Sequence, residues 1–322
     1  MALTLGELHA SPDHYLQSFD GDAAIFMPMD RAAYGRSIFL DGRISPAGEG
    51  EMRVPLGMLG KPPAALPTHW IFHVAHCGST LLARALDQPA TNLVLREPLS
   101  LRQCAIMPDA GRLALATAMA SKRYVADQPT IVKANVPVNF LLPALAGAAP
   151  RARAIFLHLG LRDYLLAILR SDNHREWLRR VTAQLARYIG DLGSLSDAER
   201  GAALWTAQTR AFASALASMP HARSLDAELF FAEPRAVLAA AVRLFGVEMS
   251  SAEIDDRIDG PLFATYSKNP EQAFDNDARI VRRKTLEASL IGELAQAEAW
   301  VGRFAADIGK AQDRIGTTSL MG

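Results

Sequence analysis

The stretch Phe72-His73-Val74-Ala75-His76-Cys77-Gly78-Ser79-Thr80-Leu81-Leu82 decides the fold. It begins inside the apolar run Trp70-Ile71-Phe72-His73-Val74, which reads as a strand buried on both faces. A short loop of small residues follows, then an amphipathic helix over 79–86 with Leu81, Leu82 and Ala85 on one side. Working outward, further strands are read at Leu93-Val94-Leu95, Thr130-Ile131-Val132 and Ala154-Ile155-Phe156-Leu157. Helical stripes recur at 198–219, 234–245 and 285–304. Strands without a polar face, separated by helices, require a parallel sheet covered by helices on both sides. The sequence therefore predicts a three-layer α/β/α fold around a central parallel sheet. The Pro62-Pro63…Pro67 cluster divides an N-terminal elaboration, residues 1–66, from the main domain, 67–322.

Of 322 residues, half are apolar, and 34 basic side chains balance 34 acidic ones. A chain of this length holds one large α/β domain or two smaller ones. Zero net charge excludes a general attraction to nucleic acid or to an anionic membrane, leaving only a local basic cleft. Cys77 and Cys104 are too few for a disulfide scaffold or a cysteine-rich zinc module, and they suit a reducing, cytoplasmic setting. Residues 1–13 lack a basic region ahead of an apolar block, so no secretory signal is read. The most apolar stretch, 139–149, contains Pro143 and falls well short of the roughly 20 residues a spanning helix needs.

The loop lies at the C-terminal end of a strand, where open α/β sheets collect ligands. Gly78 lets an anion approach the backbone, Ser79 and Thr80 offer hydroxyls, and His76 offers an imidazole. It is not a Walker A loop, because no lysine precedes the hydroxyl. Ser79 has two readings, phosphate donor or simple helix cap. Arg96-Glu97-Pro98 follows the second strand and Lys133-Ala134-Asn135 the third. On neighbouring strand ends, a carboxylate able to take a proton would meet an ammonium able to steady a leaving anion. The alternative is a surface ion pair of Glu97 with Arg96, Arg102 or Lys133.

Taken together, these residues resemble the sulfotransferase family that uses 3'-phosphoadenosine 5'-phosphosulfate (PAPS), most closely its bacterial and tyrosylprotein-type branch. The run 75–82, then Ala85-Leu86-Asp87, Arg96-Glu97-Pro98 and Val132-Lys133-Ala134-Asn135, follows the order of that family's motifs. Leu225-Asp226-Ala227-Glu228-Leu229, closing at Leu244-Phe245-Gly246, is similar to a later helix of the family, and the likeness spans roughly 67–310. The resemblance implies a P-loop-like fold with PAPS as co-substrate. It places the donor against His76, Cys77, Gly78, Ser79 and Thr80, with Ser267 and Lys268 closing over it and Arg162 at its 3'-phosphate. It makes Glu97 the general base toward a hydroxyl or amine of a small-molecule or peptide acceptor, with Lys133 and His76 stabilising the leaving phosphate. No metal is implied.

The chain also departs from the family. His76 stands where lysine or arginine is usual. Leu159 and Ala167 stand where an arginine and a serine bind the 3'-phosphate, leaving Arg162, Arg170 or Ser171 as substitutes. Arg162 also reads as a helix-start residue paired with Asp163 or facing solvent, and Arg282-Arg283-Lys284 reads as a solvated helix start. Cys77 is a loop filler or a thiol of lowered pKa. His73 and His158 read as satisfied core or sheet-end histidines. On a strand, His69 and His73 lie roughly 13 Å apart, too far to share an ion, and no H-E-x-x-H occurs, so no metal site is predicted. Two other functions fit the pattern. One is a binding protein that keeps the fold without transfer; the other is a nucleotide-dependent kinase, disfavoured by the missing lysine.

Overall fold

The computed structural model describes residues 3–322. The N-terminal part builds its own antiparallel sheet from β1 (His14–Asp20), β2 (Ala23–Pro28) and β3 (Met52–Pro55), in that order. The β1–β2 turn falls at Asp20-Gly21-Asp22, where Gly21 takes the left-handed φ of +56° that the turn needs. Helices Leu5–Ala10 and Arg31–Arg36 flank this sheet, N-capped by the side chains of Thr4 and Asp30.

The main sheet is made of β4 (Thr68–His73), β5 (Leu93–Arg96), β6 (Thr130–Lys133), β7 (Ala154–His158) and β8 (Ala222–Asp226). Its order is β5-β6-β4-β7-β8, every pairing is parallel, and helices flank it as the three-layer reading requires. Every residue of β5 and β6 is buried, as strands covered on both faces must be. Phe72 and Phe156 stack across neighbouring strands at 5.2 Å, and Phe156 meets Phe212 of the helix Asp197–Ser218, tilted, at 5.0 Å, which ties the sheet to the helical layer. One apolar core runs through both sheets. The Gln103 side-chain amide joins them further, accepting from the Phe19 N–H at 2.7 Å and donating to its carbonyl at 2.8 Å.

Two sequence expectations change. The segment 222–226, where no strand was expected and whose Leu225-Asp226 opens the stretch likened to a later helix, is the fifth strand. Its Arg223 and Asp226 are not buried, and Ser224 pairs with Ser319 of the C-terminal segment, which covers this edge. The single helix expected at 285–304 is two, Asn276–Ser289 and Ile291–Gly302, separated at Leu290. Among the described residues no helix is long and apolar enough to cross a membrane.

Candidate functional site

Parallel strands share a C-terminal edge, so the residues that follow β4, β5 and β6 converge. Arg96 lies in register with Lys133, and the Glu97 N–H donates to the Lys133 carbonyl at 2.7 Å. Glu97 takes a left-handed φ of +57°, and its carboxylate accepts from the Lys133 ammonium in a hydrogen-bonded ion pair. The Lys133 side chain is 0% exposed and that of Glu97 16%. This is a buried pair, open only on its carboxylate side. Arg96 does not join it. The Arg96 guanidinium donates instead to Asp87 and to the carbonyls of Tyr34 and Ser37.

Burial pushes the Glu97 carboxyl up, but Lys133, Lys268 and Arg43 together outweigh it and hold the group below the usual carboxylate range. His73, the last residue of β4, brings its Nε2 to 3.9 Å from Glu97 Oε1. It is buried, yet neither ring nitrogen has a hydrogen-bond partner, so it is not the satisfied histidine expected. Burial, then Lys133 and Lys268, drive its pKa well below 6.5, and it stands as a neutral imidazole.

The loop after β4 is strained. Ala75 and His76 have φ of +26° and +55°, and with Glu97 they are the only non-glycine residues at positive φ among the described residues. Each such conformation costs on the order of 1–3 kcal/mol and persists only where the surroundings impose it. Gly78, at φ +79°, caps the helix Ser79–Ala85 with no side chain assisting, so Ser79 is not the cap. A Cβ on Gly78 would lie 2.8 Å from Phe231 Cζ, so Phe231 closes the approach over that α-carbon. Ser79 and Thr80 are buried, and Thr80 Oγ1 has no partner. Cys77 points away into the core, its Sγ 4.0 Å from the Leu157 carbonyl, and burial raises its pKa. Of the two readings of Cys77, the buried filler fits and the lowered thiol does not: the cost of a desolvated thiolate outweighs any benefit of the helix end.

Three cations, Lys133, Lys268 and Arg43, gather around Glu97 at the mouth. Arg84, from the loop's own helix, donates to the Ser267 carbonyl at 3.0 Å and so places Lys268 beside the pair. Lys268 is solvent-exposed although crowded by protein, and among the described residues it makes no ion pair. Desolvation by the surrounding protein, against the attraction of Glu97, lowers its pKa. The Phe39 ring lies between these groups, 5.6 Å from Lys133 Nζ, 5.9 Å from Lys268 Nζ and 3.9 Å from the Arg43 guanidinium carbon. Phe39 arrives from the N-terminal part because the Leu40 N–H donates to the Arg96 carbonyl at 2.7 Å.

On the other side of the loop, the His76 ring is 4.5 Å from that of His174 and 5.6 Å from Trp177. Arg170 Nε donates to His174 Nε2 at 3.0 Å, and Ser171 Oγ lies 2.6 Å from His174 Nδ1. Burial, then Lys268, His174 and Arg170, push the His76 pKa well below 6.5, and burial and Arg170 bring His174 to about 4. Arg162 is not brought here. Its Nε faces Glu287 at 3.4 Å and Glu298 at 3.5 Å, acidic groups on two later helices. The basic run is not merely solvated, since Arg279 and Arg283 pair with Glu228, and Arg283 also with Asp163. Among the described residues no group of three or more His, Cys, Asp and Glu side chains is arranged to hold a metal.

No protein-family model matches the sequence, and no curated protein matches it. Solved structures similar to it include a sulfotransferase domain from the curacin biosynthetic pathway, 13% identical over 61% of this chain and 80% of that one, with a TM-score of 0.39. Another is a sulfotransferase from Alicyclobacillus acidocaldarius, 15% identical over 74% of this chain and 97% of that one, with a TM-score of 0.38. Likenesses this distant say nothing about the chemistry of the site.

Several site residues escaped the sequence reading. Phe39 and Arg43 carry no motif; only the neighbouring Arg96, whose burial demands carbonyl partners, could have pointed to an incoming segment. His73 was legible as a strand residue but not as an unpartnered one. His174 and Trp177 share a face of the helix Asp172–Gln184, a spacing that is also that of an ordinary surface stripe.

Proposed function

We propose that the chain is a sulfotransferase-like enzyme that moves a sulfuryl group from PAPS to a hydroxyl or amine of a small-molecule or peptide acceptor. The observation that carries this reading is the Glu97–Lys133 pair on adjacent strand ends, open on its carboxylate side, with Lys268 at the rim. The fit of the donor rests on unpaired groups. Thr80 Oγ1 and the His73 ring nitrogens lack partners, and the loop helix has no side-chain cap. For a second phosphate, Arg170, Ser171 and His174 are better disposed than Arg162, which faces two carboxylates.

PAPS would supply the activated sulfuryl group and a phosphate leaving group. Glu97, held ionised by its three cations, accepts the acceptor's proton. Once protonated it no longer offsets Lys133, so a full positive charge is unmasked as negative charge grows on the leaving phosphate. His76 adds a donor from the loop. Transfer of this kind asks the protein mainly for positioning and charge stabilisation. Two free, buried cysteines suit a cytoplasmic setting, and balanced charge argues against nucleic-acid or membrane partners.

A second reading, a binding protein without transfer, is favoured by Leu159, Ala167 and the engagement of Arg162. Calorimetry with adenosine 3',5'-bisphosphate and with ADP–magnesium, beside a sulfuryl-transfer assay of the chain and of Glu97→Gln, separates the cases. Transfer predicts that both proteins bind the bisphosphate and only the unaltered one turns over. Bisphosphate binding without any turnover favours the second reading. Preference for ADP–magnesium overturns both, and undiminished turnover by Glu97→Gln removes Glu97 from the mechanism.

A further inference from the structure

Of the three cations around the Phe39 ring, two are committed to carboxylates. Lys133 bonds Glu97, and Arg43 grips Asp41 through Nε at 2.9 Å and Nη2 at 2.5 Å. Lys268 is the third. Its Nζ lies 5.9 Å from the ring centroid, and among the described residues it makes neither an ion pair nor a side-chain hydrogen bond. Opposite charges attract most strongly where protein displaces water, so an ammonium beside a desolvated carboxylate ordinarily closes on it. Here the Phe39 ring, 5% exposed, stands in the way.

The chain on each side of Phe39 is pinned. The Arg96 guanidinium donates to the Tyr34 and Ser37 carbonyls, the latter at 2.6 Å. The Leu40 N–H donates to the Arg96 carbonyl at 2.7 Å, and the Leu40 carbonyl accepts from the Leu99 N–H and from the Tyr15 hydroxyl, each at 3.2 Å. Arg96 is 1% exposed and directly precedes Glu97, so the residue that anchors the ring also fixes its spacing from the carboxylate. An aromatic face attracts an ammonium through its quadrupole. Unlike a carboxylate, it leaves the three N–H donors of a lysine open to another acceptor.

We infer that Phe39 is a positioning residue, whose ring holds the Lys268 ammonium off Glu97 and leaves it for an incoming anion. That anion is the phosphosulfate donor only on the sulfuryl-transfer reading, on which the purpose of the arrangement rests. The arrangement itself is tested in the ligand-free chain by NMR titration of isotope-labelled dimethyl-lysines, which keep their charge; the signal lost in Lys268→Arg identifies Lys268. Phe39→Leu should let Lys268 close on Glu97 and raise its titration midpoint by about one pH unit. Phe39→Met serves the same end if that variant does not fold. Adding Glu97→Gln should remove the rise, and Phe39→Tyr, which keeps an aromatic face, should titrate near the parent. No rise, an equal rise with and without the Glu97 carboxylate, or a Phe39→Tyr midpoint matching that of Phe39→Leu overturns the proposal. Calorimetry with adenosine 3',5'-bisphosphate reads the purpose: Phe39→Leu should bind it severalfold more weakly, and undiminished binding overturns the role in anion capture. Midpoints as expected in a parent that binds no bisphosphate would sink the transfer reading and leave the ring's hold on Lys268 standing.

Discussion

Lys122, eight residues ahead of β6 with its carbonyl accepting from the Thr130 hydroxyl at the strand's start, and Lys133, at its end, are both buried, and the two ends of this one strand use a buried amine in opposite ways. Lys122 Nζ donates to two neutral carbonyls of the N-terminal part, Leu8 at 2.6 Å and His14 at 2.7 Å, and has the Phe26 ring 5.8 Å away. Lys133 donates to a carboxylate and has the Phe39 ring nearby. Both lysines reach from the main domain toward the N-terminal part. A lysine tied to carbonyls can lose its charge and keep its bonds, because a neutral amine still has two N–H donors. A lysine tied to a carboxylate changes the local charge whenever that carboxylate gains a proton. The first arrangement is suited to holding the fold together, and the second to chemistry.

The largest expected effect breaks the second arrangement. Lys133→Met should lower sulfuryl transfer by about 10²–10³-fold, the usual loss when one charge-stabilising donor is removed. It should also cost about 3 kcal/mol in denaturant unfolding, since Glu97 is left without its main partner. Adding Glu97→Gln to Lys133→Met should restore much of that stability and none of the activity. Recovery of turnover in the double variant would show that the pair is structural only. Lys122→Met, in contrast, should leave turnover within about twofold.

A smaller effect concerns the charge that the loop side calls up. In the free chain His76 and His174 are neutral near pH 7, because burial and neighbouring cations depress both pKa values. A bound anion raises them, so binding takes up protons. Affinity for adenosine 3',5'-bisphosphate should strengthen about tenfold from pH 7.5 to 5.5, and His174→Gln should flatten that slope. A pH-independent affinity in the unaltered chain would exclude these histidines from the ligand's surroundings.

How much of this was legible in the sequence follows from the range of the forces involved. Four strands of the main sheet could be read because each is buried on both faces, and the meeting of Glu97 with Lys133 follows from parallel strands ending on one edge. β8 was missed because Arg223 and Asp226, neither of them buried, break its apolar run at the end of the sheet. Phe39 and Arg43 could not be placed, since their position depends on Arg96 bonding to carbonyls far away in sequence, and a carbonyl has no residue signature. Arg162 looked available for a phosphate because nothing local announces Glu287 and Glu298. The loop was read as an open cradle, whereas Phe231, remote in the chain, stands over Gly78.

The smallest effect sharpens the first arrangement. Burial brings Lys122 down to about 7, with nearby Asp13 opposing the shift, while in the unfolded chain a lysine titrates near roughly 10.4. Between those values the unfolded state holds a proton that the folded state does not, so folding stability rises with pH across that window, by up to about 1.4 kcal/mol per pH unit. His9 beside Lys122 is shifted downward and titrates below this window. Both free thiols are shifted upward by burial and, as an unfolded thiol loses its proton near roughly 8.5, they oppose the slope at higher pH, so the interval to read is about pH 7 to 8. Thermal melts of the unaltered chain should show a rising midpoint over that interval, and Lys122→Met should abolish the rise at a cost of about 2 kcal/mol in stability as the Leu8 and His14 carbonyls lose their donor. A midpoint that falls with pH would mean that Lys122 stays charged on its two carbonyls, and the contrast between the two ends of β6 would shrink to a difference of partners alone.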